Sequence, residues 1–179
     1  MITIRPETLE DSIVIYEVNK LAFGQENEAR LVEKIRQEAN FNSKLSLVAI
    51  KNEKVVGHLL FSPIIIQASK DDIPALALAP LAVCPEFQNQ GIGSELVKRG
   101  LNDCKGLGHK VVVVIGHPNY YTRFGFSSAT TKGLSAPFPV ADEAFMIVEL
   151  VPGTVDGISG IVNIHQYSMR FRGINRRRI

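Results

Sequence analysis

Between Gln88 and Ser94 the chain reads Gln88-Asn89-Gln90-Gly91-Ile92-Gly93-Ser94, just ahead of a stretch with helical periodicity. Residue types in this order suit an anionic ligand. The first amides of a helix lack partners within it and together carry about half a positive charge, so they attract a pyrophosphate. Glycines at 91 and 93 let phosphate oxygens reach the backbone with no Cβ in the way. Two other phosphate loops are excluded. A P-loop needs Lys and then Ser or Thr after its last glycine, whereas Ser94-Glu95 follows here. A dinucleotide fingerprint needs glycine where Leu96 stands. Candidates for proton transfer are Glu26 and Glu28, His58 and Ser62, and His117, and no spacing singles one out. Gly157-Ile158-Ser159-Gly160 lacks the spacing of a nucleophile elbow. No His/Cys/Asp/Glu grouping has metal-ligand spacing, so no metal is expected, and Cys84 and Cys104 read as small buried hydrophobes.

Periodicity supplies the elements that must position these residues. Ile2 to Arg5 alternates like a strand, and Pro6 suits a first helical turn with Glu7, Glu10 and Asp11 at its positive end. Helical spacing then runs to Gly24, and a second helix is expected over about 26–38 with Leu31, Val32 and Ile35 inward. Leu45 to Ile50 and Val55 to Gln67 read as strands joined by the tight turn Lys51-Asn52-Glu53-Lys54. In the next strand, Leu76 to Val83, the large residues change from even to odd positions between Leu78 and Leu81. A period of two cannot change phase without an extra residue, so a β-bulge is expected near Pro80, as a ligand-contact point. A helix over 90–107 follows, with Ile92, Leu96, Val97, Leu101 and Cys104 inward. Val111 to Ile115 is an unbroken β-branched run, typical of a strand buried on both faces. A short helix from Asn119 to Phe124 and strands from about Phe126 and from Phe145 to Val151 complete an α/β fold, a mixed sheet flanked by helices.

The whole chain has 179 residues, enough to bury roughly 70% of its unfolded surface in one domain. With 45% hydrophobic and 21% charged residues it is not intrinsically disordered. The longest uncharged apolar stretch, Ile73 to Pro85, is broken by Pro80 and falls short of the roughly 20 residues a membrane helix needs. Arg5, Glu7, Glu10 and Asp11 interrupt any signal-peptide core, so a cytoplasmic protein is expected. The net charge of +2 conceals an uneven distribution: Arg170, Arg172, Arg176, Arg177 and Arg178 crowd the last ten residues, and without them acids outnumber bases. An acidic body argues against nucleic acid as the main partner, and the tail reads as a solvated end.

Its context raises the glycine loop above a packing motif. A strand with a phase slip enters it, a buried strand follows the helix, and then comes Asn119-Tyr120-Tyr121-Thr122-Arg123-Phe124-Gly125-Phe126. Together these resemble the GNAT superfamily of N-acetyltransferases. Gln88, Gly91 and Gly93 match its pyrophosphate motif, Tyr120-Tyr121 and Gly125-Phe126 its later aromatic motif, and Leu81-Ala82-Val83-Cys84-Pro85-Glu86-Phe87 its bulged strand and turn. The resemblance covers about residues 1–150, so 1–151 is taken as the acetyltransferase domain and 152–179 as a C-terminal extension. It implies acetyl-CoA as co-substrate, an amine as acceptor and direct transfer without a covalent enzyme intermediate. It also implies backbone contacts to pantetheine from Leu81, Ala82 and Val83, and pyrophosphate contacts from Gln88, Asn89, Gln90, Gly91, Ile92 and Gly93, with Ser94 adding a hydroxyl. Asn119 matches a position that touches the pantetheine arm, or caps a helix. Tyr121 matches the candidate general acid. A phenol has a pKa near 10 and a thiol near 8.5, so full transfer to the CoA thiolate is uphill by about 2 kcal/mol, and Tyr121 would stabilise developing charge. Gln88 replaces the family's commoner arginine and brings no charge. A non-catalytic acyl-CoA-binding module is the alternative. For the C-terminal stretch an added strand, a subunit contact, as in a homodimer, and a loose tail all fit.

Overall fold

The computed structural model describes residues 1–164, so the arginine-rich end and the segment His165 to Phe171 lie outside the described residues. By contact the chain forms two compact units. The first holds Met1–Ser62 and Ala79–Asp103, and the second holds Pro63–Leu78 and the described residues from Cys104 onward.

In the first unit, β1 (Ile2–Pro6) pairs antiparallel with β2 (Ser46–Lys51), which pairs antiparallel with β3 (Lys54–Ala68). Asn52 and Glu53 both take positive φ, the geometry of a two-residue hairpin turn whose twist matches its strands. Helices α1 (Ser12–Phe23) and α2 (Asn27–Arg36) pack on each other, and α3 (Ile92–Gly106) seats Ile92, Leu96 and Val97 in the core. Leu101 is only half-buried. Gly100 takes the inward position instead, because a Cβ there would lie 2.4 Å from Phe61 Cε2.

Pro6 does not open the first helix. It ends β1 opposite Leu47, and a 3-10 turn at Leu9–Asp11 precedes α1. Asp11 decides this start. Its carboxylate accepts the Thr8 amide at 2.7 Å and the Thr8 hydroxyl at 3.0 Å, while Arg5 grips it at 2.6 and 3.0 Å. Gly24 ends α1 in the left-handed conformation, as expected.

Strand β4 (Ile73–Val83) enters the glycine loop, with a cis peptide at Ala79–Pro80. Burial takes in both faces of this strand from Ala75 to Pro80. Leu76, Leu78, Pro80 and Ala82 all stay buried, whereas Leu81 and Val83 are half-buried. Ala82 is small because it sits in a close-packed cluster with Val18 and Cys84, against Val14, Phe23 and Phe87. The register irregularity described in the β2–β3 pair falls between Ala49 and Ile50.

In the second unit β4 pairs parallel with β5 (Val111–Ile115) at Leu76↔Val112 and Ala77↔Val113. The short strand β6 (Ser127–Ser128) and then β7 (Leu134–Ser135) lead to β8 (Phe145–Glu149), which pairs antiparallel with both β5 and β6. Strand β9 (Gly160–Asn163), in the stretch set apart as an extension, pairs antiparallel with Ile65–Ala68 and parallel with β7. An added strand is therefore what this part of the C-terminal stretch contributes. Sheet order is β1-β2-β3-β4-β5-β8-β6, a mixed sheet with β5 inside it, as its β-branched composition implied.

Candidate active site

The glycine loop belongs to the first unit. Val83 ends β4, Cys84 donates its amide to Val56 O at 2.9 Å, and a 3-10 turn at Pro85–Phe87 delivers Gln88. Asn89 and Gly91 both take positive φ, of 59° and 81°, and α3 starts at Ile92. Asparagine tolerates that region better than most side chains. Nothing lies within 4 Å of a Cβ built on Gly91, so the loop presents backbone to open space there. The side chains brace the loop. Gln88 Nε2 donates to Val83 O at 3.0 Å, and Gln90 Nε2 donates to Glu86 O at 3.1 Å. Lys51 Nζ donates to Gln90 Oε1 at 2.6 Å and lies 5.7 Å from the Phe87 ring centre. The sequence reading missed Lys51. Its only sequence signal was a place in the tight turn Lys51-Asn52-Glu53-Lys54.

Asn119 and Tyr121 belong to the second unit, on α4 (Pro118–Tyr121), which begins right after β5. Asn119 is exposed and is not the helix cap, because His117 occupies that position. Tyr121 is 4% exposed, with its ring edge-on to Tyr120 at 5.0 Å and to Phe126 at 5.5 Å. Gly116 makes this possible: a Cβ there would lie 2.3 Å from Tyr121 Cε2. The Tyr-Tyr…Gly-Phe spacing thus builds a clamp around one phenol. A hollow of about 370 Å³ elsewhere in this unit is lined by Ser127, Lys132, Glu149 and Asp156, among others, and by none of the expected site residues.

Two base candidates are committed elsewhere. Glu26 is ion-paired to Lys20 at 3.1 Å and Arg30 at 2.8 Å, which lowers its pKa and weakens it as a base. His58 is fully buried, and desolvation lowers its pKa. Asn19 Nδ2 stands 3.0 Å from His58 Nδ1 while also donating to Ile15 O, so the ring proton belongs on Nε2. That proton points at Ser46 Oγ, 2.9 Å away, and the Ser46 hydroxyl donates to Glu7. Arg36 closes the chain on Glu7 at 2.8 and 3.2 Å. Burial works against the Glu7 charge, but the nearby His58 and the Arg36 and Ser46 bonds outweigh it and hold the carboxyl at about 2. Glu28 is buried and accepts from Gln25, while His117 is exposed. Among the described residues no group of three or more His, Cys, Asp or Glu side chains could hold a metal, and no helix is long and apolar enough to cross a membrane.

A family model described as an acetyltransferase (GNAT) domain matches residues 3–129. The chain belongs to the GNAT acetyltransferase family. A protein named uncharacterized N-acetyltransferase YhbS, from Escherichia coli K12, is 33% identical over 94% of this chain and 99% of its own length. Another from that organism, uncharacterized N-acetyltransferase YjhQ, is 39% identical over 74% of each chain. Among solved structures, E. coli YhbS in complex with CoA superposes with a TM-score of 0.84 at 31% identity, over 97% of this chain and 93% of its own. A Brucella melitensis GNAT acetyltransferase in complex with acetyl-CoA gives 0.72 at 29% identity, over 90% and 94%. The GNAT match thus takes in both units, and the mixed α/β architecture is that of the family.

Proposed function

We propose that this protein transfers the acetyl group of acetyl-CoA directly to an amine. The observation that carries the reading is the loop between β4 and α3. Its left-handed Asn89 and Gly91 and its open approach at Gly91 suit a pyrophosphate, and the two structural relatives above hold CoA and acetyl-CoA. On this reading the amides of Gln88, Asn89, Gln90, Gly91, Ile92 and Gly93, with the Ser94 hydroxyl, hold the pyrophosphate. Leu81, Ala82 and Val83 line the pantetheine, and Asn119 touches the same arm. Gln88 acts indirectly, by bracing the loop on Val83 O.

The acceptor's nitrogen lone pair attacks the thioester carbonyl carbon, and the C–S bond of the tetrahedral intermediate then breaks. The electron pair leaves on sulfur, where the Tyr121 hydroxyl donates a hydrogen bond to the forming thiolate. The acceptor's proton must leave as well. Keeping a lysine-like amine neutral at pH 7 costs about 4.6 kcal/mol, so a base or a water chain is needed. With His58 and Glu26 committed, Glu28, Ser62 and His117 stay as candidates.

Calorimetric titration with acetyl-CoA, beside CoA and NADH, is the first test, followed by thiol-release screening against amines. Saturable acetyl-CoA binding without NADH binding, and turnover with at least one amine, is the expected result. No binding at millimolar ligand would overturn the cofactor reading. Binding with no turnover on any amine would make the domain an acyl-CoA-binding module.

A further inference from the structure

The β2–β3 hairpin closes on a pair of cations: Lys51, the last residue of β2, and Lys54, the first of β3, stand directly opposite each other in register. Cβ atoms of such a pair are about 5 Å apart, and like charges so placed repel. Among the described residues no carboxylate lies within ion-pair distance of either ammonium. Lys51 reaches instead to the glycine loop, where its Nζ donates to Gln90 Oε1 and lies over Phe87. An ammonium has three N–H donors, and Gln90 takes one. The loop itself is without a cation, because Gln88, Asn89 and Gln90 are neutral amides.

We propose that Lys51 is a phosphate-binding residue of the cofactor site, supplying from the β2–β3 hairpin the positive charge that the loop lacks. The inference rests on the cofactor reading above and adds a residue to it. The ligand chemistry is a phosphate of CoA, either the diphosphate or the 3′-phosphate. Phosphate oxygens arriving at Gly91 meet the α3 amides on one side and a pre-placed ammonium at Gln90. The anion also relieves the repulsion between Lys51 and Lys54. Gln90 serves as a positioning residue, tethered to Glu86 O and holding Nζ at the rim.

The test is titration of CoA and dephospho-CoA into wild type, Lys51→Met and Lys51→Arg at about 20 mM and about 300 mM NaCl, on either side of physiological screening. Methionine keeps an unbranched stem against Phe87 and removes the charge. Lys51→Met should bind CoA about tenfold more weakly at low salt, with the gap closing to about twofold at high salt, while Lys51→Arg stays within about twofold of wild type. A loss seen with both ligands assigns the ammonium to the diphosphate, and one seen with CoA alone assigns it to the 3′-phosphate. Wild-type affinity in Lys51→Met at low salt, or an equal loss at both salts, would overturn the role of the charge. A wild type that binds no CoA at either salt would remove the cofactor reading itself, which is a separate result.

Discussion

Tyr121 is held in part by its ring, between Tyr120 and Phe126 and across Gly116, contacts that phenylalanine keeps. Tyr121→Phe should therefore lower kcat by about a hundredfold while the acetyl-CoA Kd moves less than twofold, read by steady-state kinetics beside calorimetry. Unchanged kcat would end the acid role. Gly116→Ala attacks the same residue through its support. Its Cβ would overlap the phenol ring, so the ring or the β5 exit must shift, at about 1–3 kcal/mol of stability by urea unfolding. Tyr121 was singled out through the resemblance of its Tyr-Tyr…Gly-Phe stretch to the family's motif. The need for glycine at 116 was not, because nothing local distinguishes a glycine that ends a strand from one a ring lies across.

Helix α3 carries the loop, so its seating matters at the scale of elements. Gly100 lets Phe61 of β3 lie against the helix backbone. Gly100→Ala gains helix propensity of about 1 kcal/mol but meets that ring at 2.4 Å, and the net should be a loss of about 1–3 kcal/mol. Phe61→Leu in the same chain should recover part of it, whereas a stabilised single variant would show that the ring turns aside freely. The extents of α2, α3, β2, β3 and β5 were all readable from periodicity. The start of α1 was not, since Arg5, Thr8 and Asp11 cooperate through contacts that span both a strand end and a turn. In β4 the small Ala82 fits close packing with Val18 and Cys84, partners that spacing within the strand does not reveal.

The buried chain Arg36–Glu7–Ser46–His58–Asn19 ties both N-terminal helices to the sheet, and it gives the fold an acid weakness. His58 has a pKa lowered by burial, so its stabilising share is complete above the ordinary value of 6.5 and is lost as pH falls below it. Glu7 is held at about 2 against an ordinary 4.5, so its share is complete above 4.5 and is lost between there and 2. Unfolding free energy should thus fall in two stages on acidification. Glu7→Gln should remove about 3 kcal/mol at pH 7, since Arg36 loses its partner, and should flatten the lower stage. His58→Gln should flatten the upper one. Parallel urea curves for all three proteins at pH 7, 5.5 and 3.5 would contradict the assignment. From sequence, Glu7 was read as a helix-dipole acid and His58 as a candidate base. Both are internal partners instead.

Local chemistry settled much by itself. Alternation marks the strands and a period of 3.6 marks the helices. Glycines ahead of a helix advertise an anion site, and these signals need only neighbours in the chain. Apart from the α1 start at Arg5, Thr8 and Asp11 and the Gly116–Tyr121 contact, the features that escaped join residues far apart in sequence. Lys51 meets Gln90, Glu7 meets Arg36 and Ser46, Gly100 meets Phe61, and β9 joins the far end of β3. A charge or a missing Cβ is visible in a sequence, but its partner is chosen by packing. Only the tertiary structure could therefore decide which lysine stands at the glycine loop and which histidine is sealed in the core.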